Sequence, residues 1–200
     1  MRILITSDTH GQLSKFWDVF KKMQQIDPID VIVHCGDYYK DAENIRRKCR
    51  LPVLAVKGNC DGDFRYGGCM HFETEAGNFL ITHGHMLDVG HDLQRIYYKV
   101  LEENCIGAFF GHTHRSVYLD MDGIYLMNPG SLSRPRDGSG GTFGIIQTCP
   151  SGVWGKIYRY SDFMQSSDDE KRNDNKDNYN KKAVIPGGKL RKLFNYSDRF

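Results

Sequence analysis

No CxxC pair occurs among the six cysteines, which stand at 35, 49, 60, 69, 105 and 149. That spacing argues against a zinc ribbon, and the cysteines read as free thiols of a reducing compartment. No apolar run is long enough to span a bilayer. The run Ile3-Leu4-Ile5 after Met1-Arg2 is too short for the apolar core of a signal peptide. Neither sign of charge is in excess: 27 Lys and Arg against 25 Asp and Glu give a formal net charge of +2, with no dense basic stripe. This gives no argument for a membrane surface or a nucleic acid as partner. Internal repeats are missing too. The expected location is cytoplasmic. Two hundred residues, 40% hydrophobic and 26% charged, suit one ordinary globular domain and a short appendage.

The first half alternates strand and helix patterns. Ile3-Leu4-Ile5, Val31-Ile32-Val33 and Val53-Leu54-Ala55-Val56 read as buried strands. Between them, Leu13 to Ile26 carries Leu13, Phe16, Phe20 and Met23 at helical spacing, and Asp41 to Arg50 reads as a polar helix before Pro52. Fully apolar strands separated by helices predict a parallel sheet covered on both faces. The second half looks more antiparallel. Met70 to Ala76 and Phe79 to Thr82 flank Gly77-Asn78. Val117 to Met121 and Ile124 to Met127 flank Asp122-Gly123, a strong hairpin signal. Phe143 to Thr148 and Val153 to Tyr160 flank Pro150-Ser151-Gly152. His91 to Glu103 is expected to be a helix and Ile106 to Phe110 a strand. Composition changes near residue 161. The segment 165–182 is too polar to offset its ordering entropy and is expected to be disordered, and 183–200 regains enough apolar residues for a short docking segment.

Five short polar motifs stand out, four of them directly after a predicted strand. They are Asp8-Thr9-His10, Gly36-Asp37, Gly58-Asn59-Cys60-Asp61, His83-Gly84-His85 and Gly111-His112-Thr113-His114. Taken singly, each has a plain reading as a cap, a turn or a surface loop. Together they would gather two Asp, one Asn and several His at one sheet edge, where open α/β sheets bind ligands. Imidazole nitrogens and carboxylate oxygens suit Mn, Fe, Ni, Co or Zn. Glycines 36, 58, 84 and 111 let the chain turn sharply at the strand ends. Seven ligands with one carboxylate shared are enough for two adjacent ions.

The ordered series Asp8-x-His10, Gly36-Asp37, Gly58-Asn59, His83 and Gly111-His112-Thr113-His114 resembles the calcineurin-like metallophosphoesterase superfamily. The phrases Gly58-Asn59-Cys60-Asp61, Thr82-His83-Gly84-His85 and Asn128-Pro129-Gly130-Ser131 look like its small bacterial and archaeal phosphodiesterase branch, to which the eukaryotic retromer scaffold subunit also belongs. The resemblance covers about residues 1–160, the expected domain, and leaves 161–200 as a polar tail. It implies an α/β fold, a four-layer αββα sandwich of two mixed β-sheets flanked by helices. It also implies two divalent transition-metal ions, manganese ahead of nickel, iron, cobalt and zinc. One would be held by Asp8, His10 and His114 and the other by Asn59, His83 and His112, with Asp37 bridging. The implied reaction is hydrolysis of a small phosphodiester by a hydroxide shared between the ions.

Many superfamily members carry His after the motif Asn, assigned to assist the leaving group, whereas this sequence has Cys60. That departure favours a diester or an activated ester over a monoester, because an alkoxide leaving group benefits from a proton donor. His85 is a candidate replacement as acid or oxyanion stabiliser. Arg134 and Arg136, with Arg65 a weaker version, are candidates for gripping substrate oxygens, against a plain reading as surface arginines. His34, His71 and His91 lack motif context and read as structural, and Cys35 reads as strand packing. The rival function is an interaction scaffold of the retromer-subunit type. The complete ligand set favours catalysis. A dedicated nuclease is disfavoured by the near-neutral charge, no membrane partner is expected, and a homo-oligomer stays open.

Overall fold

Residues 1–62 and 68–166 are described by the computed structural model. Arg65, the stretch 167–182 and the docking segment expected at 183–200 lie outside the described residues.

Each apolar strand pattern of the first half forms a strand. β1 (Arg2–Thr6), β2 (Val31–His34) and β3 (Val53–Ala55) run parallel, with Leu4 beside Ile32 and Ile32 beside Val53. They are joined by α1 (Ser14–Ile26) and α2 (Tyr39–Lys48). The second sheet starts with β4 (Met70–Thr74) and β5 (Gly77–Ile81), followed by a single 3-10 turn at His85–Leu87, α3 (Gln94–Glu102) and β6 (Gly107–Phe109). The remaining elements are β7 (Ser116–Met121), β8 (Ile124–Pro129), β9 (Thr142–Cys149), β10 (Gly152–Arg159) and α4 (Tyr160–Gln165). The two five-stranded sheets have orders β10-β9-β1-β2-β3 and β4-β5-β6-β8-β7, and both mix parallel with antiparallel pairs.

Alternation along the strands sets the layers. Ile3, Ile5, Val31 and Val33 point from the first sheet toward Phe79, Ile81, Phe109 and Met127 of the second, forming the middle core. Phe79 and Phe109 stack there at 4.6 Å. Leu4 and Ile32, one residue out of phase, face Phe16, Val19 and Ile45 on α1 and α2. On the far side Leu80, Ala108 and Leu126 meet Ile96 and Val100 of α3. Three apolar layers between four structural layers give the αββα sandwich that the resemblance implied.

Local chemistry moves several boundaries. The Asp61 carboxylate accepts the Tyr39 N–H at 2.6 Å, so α2 begins two residues before the expected Asp41. The first hairpin turns at Glu75-Ala76 rather than Gly77-Asn78. Thr74 pairs with Gly77, and its hydroxyl donates to the Gly77 carbonyl at 2.7 Å. α3 starts at Gln94 rather than His91, with Asp92 accepting the Gln94 N–H. Asp122 and Gly123 both lie at positive φ, 54° and 91°, as a type I′ hairpin turn requires. α4 begins at Tyr160, the boundary read from composition, and runs beyond it. Phe163, 1% exposed, anchors it edge-on to Phe143 and Tyr158 at 5.0 and 5.7 Å. No helix among the described residues is long and apolar enough to cross a membrane.

Candidate metal centre

The loops leaving β1, β2, β3, β5 and β6 bring all seven candidate ligands together. Asp8, His10, Asp37 and His114 offer ligand atoms that all lie within 4.8 Å of one another. His10 Nε2 is 3.3 Å from His114 Nε2 and 3.8 Å from Asp37 Oδ2. On the other side of Asp37, its Oδ1 lies 3.4 Å from His83 Nε2. His83 Nε2 is 3.1 Å from Asn59 Oδ1, which is 3.0 Å from His112 Nδ1. Asp37 thus stands between two donor sets.

The backbone is bent to achieve this. Asp8, His10, Asp37, His112 and His114 all have positive φ, between 47° and 72°, as does Tyr38 at 69°. This region is costly for residues other than glycine, and such strain gathers at functional sites. Gly36 and Gly84 turn the chain at positive φ. All four motif glycines also permit close approach: a Cβ on Gly58 would fall 2.1 Å from Asp37 Oδ1, and one on Gly111 would fall 1.9 Å from the Ser7 hydroxyl.

Hydrogen bonds fix the ring tautomers. His83 Nδ1 lies 2.8 Å from the Cys35 carbonyl and His114 Nδ1 lies 2.7 Å from the Arg134 carbonyl. A carbonyl only accepts, so each Nδ1 carries the proton and each Nε2 presents a lone pair. Burial pushes His83 down to about 4, so it is neutral at ordinary pH. Its lone pair then faces the Asp37 carboxylate. In the same way His114 Nε2 faces Asp8 Oδ1 at 3.4 Å, an oxygen that is buried without a hydrogen-bond partner. Converging lone pairs repel one another unless a proton or a metal cation lies among them. The donor set therefore fits divalent metal ions.

Charge in the centre is set mainly by burial. It pushes the Asp8 carboxyl up to about 8, with the Asp37 charge adding to the rise. Burial also acts upward on Asp37, but His83, Cys60 and His10 outweigh it and hold that carboxyl below its usual range. His10, His112 and His114 are all lowered, first by burial, with Arg136 adding to the effect. The Cys60 thiol is pushed up to about 11 by burial and by Asp37, so it stays protonated. Its N–H donates to Asp37 Oδ1 at 3.0 Å.

The remaining predicted residues surround this core. The His85 ring sits 5.3 Å from that of His83 and 6.2 Å from that of His112, with both nitrogens buried and unpartnered among the described residues. The Arg134 carbonyl holds His114, while its side chain is exposed. Arg136 lines a cleft beside His112. Asn128 donates to the Gly111 carbonyl, and the Ser131 and Ser133 hydroxyls donate to the Asp8 and Thr9 carbonyls. The Asn128-to-Ser131 motif is thus a brace for two ligand loops. His71 and His91 pair with Glu103 and Asp92 at the surface, away from the centre.

Sequence reasoning missed the buried support of His34, Thr9 and Asp41. His34 Nδ1 accepts the Gly36 N–H, its Nε2 meets the Thr9 hydroxyl at 2.9 Å, and that hydroxyl donates to Asp41 at 2.6 Å. Asp41 also accepts the Gly11 N–H. The available signal was a histidine ending an apolar strand one turn before Asp37. Tyr38, edge-on to His10 at 5.2 Å, and Asp61, which accepts the Gly58 N–H at 2.8 Å, were likewise given no role.

Residues 1–151 match the calcineurin-like phosphoesterase superfamily domain. The chain belongs to that superfamily, a class of metal-dependent phosphoester hydrolases. Among curated proteins it is 32% identical to the probable metallophosphoesterase YsnB of Bacillus subtilis over 138 residues, covering 68% of this chain and 78% of that one. It is 27% identical over 172 residues to a phosphodiesterase of Methanocaldococcus jannaschii, covering 74% and 93%. The fold also matches zinc-complexed Vps29 of Entamoeba histolytica, with a TM-score of 0.62 at 18% identity over 80% of this chain and 99% of that one.

Proposed function

We propose that the chain is a phosphodiesterase acting on small phosphodiesters with two divalent transition-metal ions, manganese first among them. The supporting observation is the placement of Asp37 between two sets of inward-facing lone pairs. Asp8, His10 and His114 would hold one ion, Asn59, His83 and His112 the other, and Asp37 would belong to both. When bound, such a pair brings the pKa of water toward neutrality and offsets charge on the phosphoryl oxygens.

The chain's own groups then set position and proton supply. The Cys35 and Arg134 carbonyls keep His83 and His114 in the ligating tautomer. His85 has a ring N–H to give and no protein acceptor among the described residues, which suits a phosphoryl or leaving-group oxygen. Cys60 is a thiol at neutral pH, not a nucleophile. The lack of an imidazole at that position favours an ester whose leaving group needs little protonation, and the likeness to phosphodiesterases supports a diester.

Turnover of bis-p-nitrophenyl phosphate and p-nitrophenyl phosphate should be compared with Mn, Ni, Co, Fe and Zn. The diester should be hydrolysed faster, with two metal ions per chain by elemental analysis. No turnover with any of these metals would reject the enzyme reading and leave the interaction scaffold. The fold likeness to Vps29 alone does not favour that alternative.

A further inference from the structure

Tyr38 is an unexpected side chain for its place in the backbone. It stands at φ 69° and ψ 64°, one residue before α2. Bulky side chains are outliers in this left-handed region, which glycine enters without penalty. The turn by itself therefore does not call for tyrosine. Burial does not call for it either, because the residue is 41% exposed. A ring kept at a strained position and left half open to solvent is suited to contact with a ligand, and strain of this kind gathers at ligand clamps.

The fold fixes that ring against the candidate metal centre. It meets the His10 ring edge-on, with centroids 5.2 Å apart and planes at 67°. It also lies over Gly11, where a Cβ would come 3.7 Å from Tyr38 Cε1. Asp41 ties the two loops together. Its N–H donates to the Tyr38 carbonyl at 2.8 Å, and its carboxylate accepts the Gly11 N–H at 2.8 Å and the Thr9 hydroxyl at 2.6 Å. On the inner side, His10 Nε2 is 3.8 Å from Asp37 Oδ2. The ring thus flanks the place proposed for the reacting phosphate. A fixed aromatic ring stacks on planar groups of many kinds, since each has a π-face of its own. An aliphatic group gains only area burial from the same contact.

We infer that the substrate carries a planar aromatic group, an aryl ring or a nucleobase, that stacks on Tyr38 while its phosphate sits at the centre. This rests on the phosphodiesterase reading. Protein loaded with Mn²⁺ is titrated by calorimetry with two matched pairs of phosphate monoesters. Phenyl phosphate is set against cyclohexyl phosphate, and thymidine 5′-monophosphate against ribose 5-phosphate. In at least one pair the aromatic member should bind roughly tenfold more tightly, and the pair that shows it tells an aryl ring from a nucleobase. Tyr38→Asn, a residue type that tolerates this backbone, should bring the ratio close to one, and Tyr38→Phe should keep it. If Tyr38→Asn does not fold, Tyr38→Gly carries the same readout. No preference in either pair, or a preference that survives loss of the ring, overturns the inference. So does an equal weakening of both members of each pair, which is what a mere prop for His10 would give. Hydrolysis of bis-p-nitrophenyl phosphate is followed in parallel. If it persists while the preference is absent, the phosphodiesterase reading stands without the inference. If no diester is cleaved, that reading falls, and with it the assignment of the aromatic group to a substrate.

Discussion

Acidification from pH 7 to pH 5 should remove about 2 kcal/mol of stability through His34 alone. This ring is fully buried and both its nitrogens are engaged as a neutral imidazole. Thr9 gives its proton to Asp41, so its oxygen must accept from His34 Nε2–H, and Nδ1 accepts the Gly36 N–H. A second proton would have to displace that N–H. Burial therefore holds His34 at about 4 against an ordinary 6.5, although Asp41, Asp61 and Asp37 favour the charged form; Arg46 opposes it. The folded pKa is depressed. The unfolded chain takes up a proton as pH falls through 6.5, and the folded chain does not until about 4. The stabilisation is complete above 6.5 and is lost as pH falls toward 4. Over the interval from 7 to 5 the linkage relation gives the figure above, equivalent to a Tm lower by about 4–8 °C for a domain of this size. Urea unfolding at both pH values, on wild type and His34→Asn, isolates the contribution, because other titrating groups are common to both. The asparagine variant is destabilised at pH 7 but should lose about 2 kcal/mol less on acidification. Equal losses in the two proteins would refute the reasoning.

Three further outcomes test other parts of the structure. Asp37→Ala should abolish diester hydrolysis and lower the occupancy of both metals, measured by elemental analysis; two ions retained per chain would contradict a shared carboxylate. Gly58→Ala should cost about 1–3 kcal/mol in urea unfolding and depress turnover, because its methyl would overlap Asp37 Oδ1, whereas an unchanged kcat/KM would show that the loop yields freely. Ending the chain after Ser166 keeps every described site residue and should leave turnover intact. Ending it after Arg159 strips Phe163 from Phe143 and Tyr158 and should cost about 3 kcal/mol or more, and equal stability of the two truncations would remove α4 from the domain.

Much of the architecture was readable because strand signals are local. The three apolar runs of the first half became β1, β2 and β3, and Asp122-Gly123 became the turn its two residue types favour. Errors fell where a side chain outside the expected signal decides a local event. Asp61 starts α2 from twenty-two positions away, and Thr74 takes over the turn expected of Gly77-Asn78. Phe163 orders α4 at a point where composition alone signalled the end of the domain.

The candidate site divides in the same way. The sequence determined which chemical groups were on offer and, through their positions at strand ends, that one edge would collect them. Only the tertiary structure decided which lone pairs face Asp37, which carbonyls fix the rings of His83 and His114, and that His34 supports the loop that presents Asp37. Hydrophobic periodicity is written in neighbouring residues. The geometry of the donor set is set between residues up to 106 positions apart, such as Asp8 and His114, and exists only once both sheets have packed.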